Sequence, residues 1–227
     1  MTQRYFGPSD LDRIAQAVRQ AERKTSGEIV PYFVEQSDGY EEAIWRGGGI
    51  LGGLALVLIA AIHLFGETWH GVGPTEIGII LLGGTGLGMM LVRSSPLLRR
   101  LLAGNTLLEQ RVAQRAAQAF IAEEVFNTRD RTGILLFVSF LEQKVLVVGD
   151  SGINRRVKQS EWEDVVARVV GGINSGRPAD GLIDAILQCG VLLKRKGVRR
   201  RTDDRNELSN RLRVGGARHP RAGRKKK

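Results

Sequence analysis

The chain has 227 residues, a net charge of +10 and a single cysteine. That length holds one globular domain with room for an appendage, and the lone Cys189 excludes an intramolecular disulfide, which fits a reducing compartment. The charge is uneven: residues 194–227 hold 15 Lys or Arg against 3 Asp or Glu, so the rest of the chain is nearly neutral and the basicity sits at one end.

The first predicted element is a helix. Ser9 and Asp12 make a capping-box-like pair, and Leu11, Ile14, Ala15, Val18 and Ala21 recur at helical spacing up to about Lys24. Thr25-Ser26-Gly27 breaks it. Residues 28–35, EIVPYFVE, then read as a strand, and Pro31 within it suggests a sheet edge or a bulge.

Two apolar, glycine-rich stretches follow, at 47–65 and 77–92. As a helix the first rises about 28 Å, close to the roughly 30 Å of a bilayer's hydrocarbon core. The second is shorter and spans fully if the preceding residues sit at the interface. Residues 66–76 between them carry Glu67, His70 and Glu76 but no Lys or Arg, whereas Arg46, Arg93, Arg99 and Arg100 flank the pair. By the positive-inside rule both termini are cytoplasmic and the link at 67–75 is external. Gly48/Gly52, Gly49/Gly53 and Gly84/Gly88 stand four apart, a spacing that lets two membrane helices approach closely.

Beyond the hairpin, Thr106 with Glu109 forms a second capping box for a helix over 107–126, with Leu108, Val112, Ala116, Ala119, Phe120 and Ile121 on its apolar side. Residues 133–140, GILLFVSF, are the nearly continuous apolar run of a strand buried on both faces. Leu141-Glu142-Gln143 turns the chain into a second strand, KVLVV, at 144–148. Ser160 with Glu163 caps a helix to about Ile173, and Pro178 opens a last helix with Leu182, Ile183, Ile186, Leu187 and Leu193 as its buried stripe. Cys189 lies on that apolar face and reads as a small core residue. Helices around a sheet with an apolar central strand predict an α/β fold, a three-layer α/β/α sandwich interrupted by a two-helix transmembrane hairpin. The expected divisions are 1–46, 47–92, 93–194 and a basic, disordered tail at 195–227.

The order of these segments resembles the TPM domain family, also called the TPM phosphatase family. The resemblance is carried by EIVPYFVE, by a helix ending AxxAFxxxEVF, by RTGILLFVSFLEQKVLVVGDSGIN, by the capped helix and by PADGLIDAI, over about residues 10–194 without the hairpin. It implies a compact α/β/α domain. Many family members carry a signal peptide in front and one span behind; here two spans interrupt the domain after its first strand. Strands at 28–35 and 133–140 can share a sheet only if both lie on one side of the membrane, which an even number of crossings satisfies.

Some plant members are reported as acid phosphatases, and the family's acidic clusters can hold a divalent cation. The matching positions are Asp150 in GDSGI and, more loosely, Asp130, Asp180 and Asp184. Carboxylates converging at strand ends would hold a hard cation, Ca or Mg, and lower the pKa of a bound water, with Arg129, Arg131 or Arg155 pairing with phosphate. The same residues have plainer roles open to them: Asp150 as a turn residue, Asp180 in the first turn of a helix, Asp130 in a solvated loop. His63 and His70 lie in or beside the spans and His219 in the tail. There is no P-loop, no G-x-S-x-G and no CxxC, and no small-molecule cofactor is indicated.

The tail includes Lys194, Arg195, Lys196, Arg199, Arg200, Arg201, Arg224, Lys225, Lys226 and Lys227 and has no stacking aromatics. Beside a membrane it is expected to bind anionic lipid, with sequence-independent nucleic-acid or ribosome binding as the competing role; its removal is expected to leave the domain folded. The functional expectation is a membrane-anchored, non-enzymatic accessory or assembly factor for another membrane protein, as some family members act in photosystem repair and receptor assembly. The alternative is a divalent-metal-dependent phosphatase.

Overall fold

A computed structural model of the chain describes residues 5–65, 73–198, 200 and 207–215. Most of the hairpin link, with Glu67 and His70, lies outside the described residues, as do Arg199, Arg201, His219 and Arg224 to Lys227. In chain order the elements are α1 (Pro8–Glu22), β1 (Glu28–Val34), α2 (Glu41–Phe65), α3 (Pro74–Ser94), α4 (Pro96–Ala103), α5 (Asn105–Ala122), β2 (Gly133–Ser139), β3 (Lys144–Gly149), α6 (Ser151–Asn154), α7 (Glu163–Asn174), α8 (Pro178–Arg195) and β4 (Arg213–Gly215). They fall into two units, Met1–Asp38 with Glu109–Lys227, and Gly39–Leu108.

The first unit is mixed α/β around a four-stranded sheet of order β3-β2-β1-β4. β1 and β2 run parallel in a seven-residue register from Glu28↔Gly133 to Val34↔Ser139, and β3 folds back antiparallel on β2. Both β1 and β2 are buried along their whole length, as apolar strands of a parallel pair are when each face is covered. Successive side chains alternate between two hydrophobic clusters. Ile29, Phe33, Ile134, Leu136 and Val138 join Ile14, Val18, Leu182, Ile186 and Cys189 in one. Val30, Tyr32, Val34, Leu135 and Phe137 join Val112, Ala116 and Ala119 of α5 in the other. Rings reinforce both: Phe6 meets Phe33 edge-on at 5.0 Å, and Tyr32 stacks on Phe137 at 5.7 Å, each pair adding about 1 kcal/mol beyond its buried area.

Local sequence sets the helix ends, with some shifts from the expected caps. α1 starts with Pro8 behind Gly7, whose N–H donates to Asp10 Oδ2 at 3.0 Å, so the acidic partner of the cap is Asp10 rather than Asp12. α5 begins at Asn105, directly after Gly104 at φ +79°, and Glu109 reaches Lys144 Nζ at 2.8 Å instead of closing a box with Thr106. A single 3-10 turn at Gln159–Trp162 leads into α7, capped by Glu161 accepting the Lys158 N–H at 3.0 Å, two residues before the expected Ser160/Glu163 pair. α8 opens on Pro178 as its sequence predicts.

The largest departure lies in the basic segment. Residues 207–215 are not a free tail: β4 pairs parallel with β1 at Tyr32, Phe33 and Val34. The physical reason is an open sheet edge beside buried acceptors. Glu28 Oε1 and Oε2 accept the backbone N–H groups of Glu207 and Leu208, both at 3.3 Å. Asn210 Nδ2 donates to Glu22, and Arg213 pairs with Glu123. Pro31 was expected to mark an edge or bulge. β1 is internal in strand order, yet β4 covers only its last three residues, and the stretch holding Pro31, which has no N–H to offer, has no ladder partner on that side among the described residues.

In the second unit α2 and α3 pack antiparallel through small residues. A Cβ on Gly88 would overlap the Gly47 carbonyl, and one on Gly47 would overlap Val92; Gly52 lies equally tight against Thr85. At 25 and 21 residues the helices are long and apolar enough to cross a membrane, about 38 and 32 Å at 1.5 Å per residue. Their outer sides are bare: Leu64 is 74% exposed, Phe65 83% and Leu82 76%.

Two outcomes follow. Gly88→Leu forces the two backbones apart, so intramolecular crosslinking between cysteines at Ala55 and Gly84, whose Cβ positions face each other at 3.5 Å, falls sharply while the α/β unit keeps its melting temperature. A chain ending at residue 206 loses β4 and melts about 5 °C lower than one ending at Gly215, measured by thermal unfolding in detergent.

Candidate functional site

The loops following α5 and β3 build a cleft of about 410 Å³ lined by Ser26, Asp130, Thr132, Gly152, Arg155 and Arg156. Its floor is backbone held at close quarters. Thr132 N–H donates to Thr128 Oγ1 at 2.9 Å, and Thr132 Oγ1 donates to the Ser26 carbonyl at 2.7 Å. The Gly152 N–H reaches the Arg131 carbonyl at 2.9 Å, and the Asp150 N–H reaches the Gly133 carbonyl at 2.9 Å. A Cβ on Gly133 would strike the Val125 carbonyl, and one on Gly152 would strike the carbonyls of Asp130 and Arg131. Only glycine fits at either place. The glycines of RTGILLF and GDSGIN are thus there to let two loops touch.

Asp150 is the residue of this region that the sequence favoured as a metal ligand, and its carboxylate is committed elsewhere. It is 5% exposed, caps α6 by accepting the Ser151 N–H at 2.6 Å, and pairs through Oδ2 with Arg131 Nε at 2.9 Å. Arg131 sits at φ +56° and lies over the Phe126 ring at 5.7 Å, which fixes the guanidinium against the buried acid. Asp130 does line the cleft, but it shares the walls with Arg155 and Arg156. Two guanidiniums beside one carboxylate make the cleft suited to an anion, and a divalent cation there meets net positive charge. Arg156 is further held by donating to the Gly197 carbonyl at 2.5 Å.

Asp180 and Asp184 line a different cleft, of about 420 Å³, with Arg168, Ser175 and Arg177. Asp180 is in the first turn of α8 and binds Arg13 Nη2 at 2.6 Å, pinning α1 to α8 and raising the Arg13 pKa. The four aspartates therefore do not converge: two belong to the loops around Gly152 and two to α8. Among the described residues no three or more His, Cys, Asp or Glu side chains come together in a metal-holding group.

Of the basic positions, Lys194 and Arg195 close the last turn of α8, where positive charge suits the helix dipole. Lys196 pairs with Glu161, whose pKa is lowered mainly by that bond, and Arg200 is exposed. Cys189 is fully buried, with its thiol pushed up to about 12 by burial, so it is a core residue and an unreactive one.

Two buried carboxylates escaped the sequence reading. Glu28 opens β1 and holds residues 207 and 208 as described above. Glu142, assigned only to a turn, is buried; it accepts the Ser37 N–H at 2.8 Å and the Ser139 hydroxyl at 2.5 Å, with Ser37 and Ser139 hydroxyls 2.7 Å apart. A charged residue flanking an all-apolar strand is the signal that was present; Ser139 is local to Glu142, but Ser37 is remote in sequence, as residues 207 and 208 are from Glu28.

No protein-family model and no curated protein matches the chain. Among solved structures the chain is similar to the NMR structure of the BA42 protein from the psychrophilic bacterium Bizionia argentinensis, at 18% identity and a TM-score of 0.56, covering 93% of this chain and 96% of that one. At that identity the likeness concerns the fold alone.

Removing the guanidinium partner of a buried acid leaves an uncompensated charge. Arg131→Ala is expected to destabilise the domain by about 2 kcal/mol, Asp150→Asn by less because its side chain still caps α6, and the double variant by less than the sum. Urea unfolding of all four proteins measures this.

Proposed function

We propose that the chain is a membrane-anchored accessory protein of the TPM type, in which α2 and α3 cross the bilayer and hold the α/β unit on the cytoplasmic side, where it engages another membrane protein. The observation that carries this is a hairpin that is locked internally yet bare externally. Glycine contacts join α2 to α3, while the outward leucines, isoleucines and Phe65 stand uncovered. Each such side chain left in water forgoes about 2 kcal/mol of burial, and a patch of that size is sustained by lipid or a partner. The parallel pairing of β1 with β2, which bracket the hairpin in sequence, requires the chain to return to the side it left, as two crossings do. Within the α/β unit we take the two hydrophobic clusters as the two interfaces of a three-layer α/β/α sandwich, α1, α7 and α8 on one face and α5 on the other.

A non-enzymatic role is supported by how the acidic residues are used. Asp150 is bound to Arg131 and Asp180 to Arg13, so both are structural. A phosphatase would have to work from Asp130 and the arginines of the first cleft; divalent-dependent hydrolysis of an aryl phosphate that disappears in Asp130→Asn would favour that alternative.

Two measurements test the proposal. In intact cells a cysteine at Thr68 is labelled by an impermeant maleimide, whereas one at Gln159 is labelled only after permeabilisation. Cys189 is silent in both cases because it is buried. Labelling at Gln159 in intact cells reverses the orientation, and equal labelling of both only after permeabilisation argues against the crossing. Crosslinking followed by affinity purification from native membranes is expected to recover a defined membrane protein; recovery of nothing above background counts against the accessory role.

A further inference from the structure

The short helix α4 follows α3 after a single residue, and it is built as a fixed platform. At its start Ser95 Oγ accepts the Leu98 N–H at 3.4 Å. Arg99 donates to the Arg93 carbonyl, one of the acceptors that the end of α3 leaves unpaired. At the far end Arg46, from the base of α2, donates to the carbonyls of Leu102 and Ala103 at 2.6 and 3.3 Å, and Ala103 is buried. Two arginines thus clamp α4 to the ends of both long helices. The clamped helix turns two of its four leucines outward. Leu97 and Leu101, one turn apart, are 70% and 73% exposed, with Arg100 beside them on the same helix.

The level of this platform along the hairpin is also marked. Trp45, one residue before Arg46, is 68% exposed, and tryptophan collects where hydrocarbon gives way to headgroups. Val92 lies against Gly47, so the end of α3 from which α4 departs is near the Trp45 level.

We propose that α4 is an in-plane interfacial anchor: Leu97 and Leu101 insert among the upper acyl chains of the leaflet at the Trp45 end, and Arg93 and Arg100 meet anionic headgroups there. The occupant is lipid because the two exposed leucines follow directly in the chain on the bare apolar residues of α3, such as Met90 at 68% exposed, and stand beside Arg93 and Arg100, the combination that holds amphipathic helices at anionic interfaces. This rests on α2 and α3 spanning the bilayer, and the test separates the two.

Full-length protein carrying Leu97→Cys, Leu101→Cys or Leu58→Cys, each labelled with an environment-sensitive fluorophore, is reconstituted into phosphatidylcholine vesicles with and without phosphatidylglycerol, using lipids brominated either near the headgroup or deep in the chain. Fluorophores at 97 and 101 are expected to be quenched about twofold more by shallow than by deep bromines, and more strongly when phosphatidylglycerol is present, while the one at 58 is quenched by deep bromines. If 58 is quenched and 97 and 101 are not, with or without a blue-shift that reports burial against protein, α4 is no lipid anchor although the hairpin spans. If 58 is unquenched by either lipid, the spanning hairpin itself fails.

Discussion

The parallel ladder between β1 and β2 is the constraint on which the rest of this molecule depends. Glu28 stands opposite Gly133 and Val34 opposite Ser139, so two segments separated by the whole helical insertion must arrive side by side and in register. A shift of one residue would turn Ile29, Phe33, Ile134 and Leu136 from one hydrophobic cluster into the other. Both clusters are built from these two strands, and the loops that touch at Gly133 and Gly152 are placed by where β2 starts. Within the α/β unit, Asp38 and Arg111, on the two sides of the helical insertion in sequence, pair at 2.8 Å.

Among the described residues, several ion pairs hold separate elements together. Arg131 neutralises a buried Asp150, Arg13 joins α1 to α8 through Asp180, Lys196 meets Glu161, and Arg213 fastens β4 to Glu123. The exposed pairs among these contribute little individually. The Asp150–Arg131 pair differs, since one member is almost wholly buried and has no water to fall back on. Lys196 and Arg213 also show why a count of basic residues overstates the free positive charge of the C-terminal segment.

At the base of α2 and α3 the same principle appears with carbonyls in place of carboxylates. Arg46 and Arg99 satisfy helix-end oxygens that have no partner within their own helices. Arginine suits this because its planar donors stay charged in any surroundings and reach several acceptors at once. The arginines that the positive-inside rule reads as orientation signals therefore also fix the geometry of the hairpin's end.

How much of this was legible beforehand follows from the range of each interaction. The apolar runs at 47–65 and 77–92, the strands at 28–35, 133–140 and 144–148, and the helix opening at Pro178 are all written in local periodicity and turn residues, and each has its counterpart as a helix or strand of the structure. Of their glycine pairs at spacing four, Gly48/Gly52 and Gly84/Gly88 announced close packing, which depends only on two neighbouring helices, whereas Gly49 and Gly53 face open space. The destinations of Asp150, Asp180, Glu28 and Glu142 were not legible, because a carboxylate's role is set by whichever distant arginine, amide or hydroxyl folding brings to it. β4 was hidden for the same reason. Three residues in a basic stretch carry no strand signal of their own, and they become a strand because β1 offers an open edge and Glu28 and Glu123 hold their flanks. Sequence by itself determined which of the longer segments are apolar, helical or extended; the tertiary structure alone decided that β4 is a strand and which distant polar groups meet, since those choices are made between residues far apart along the chain.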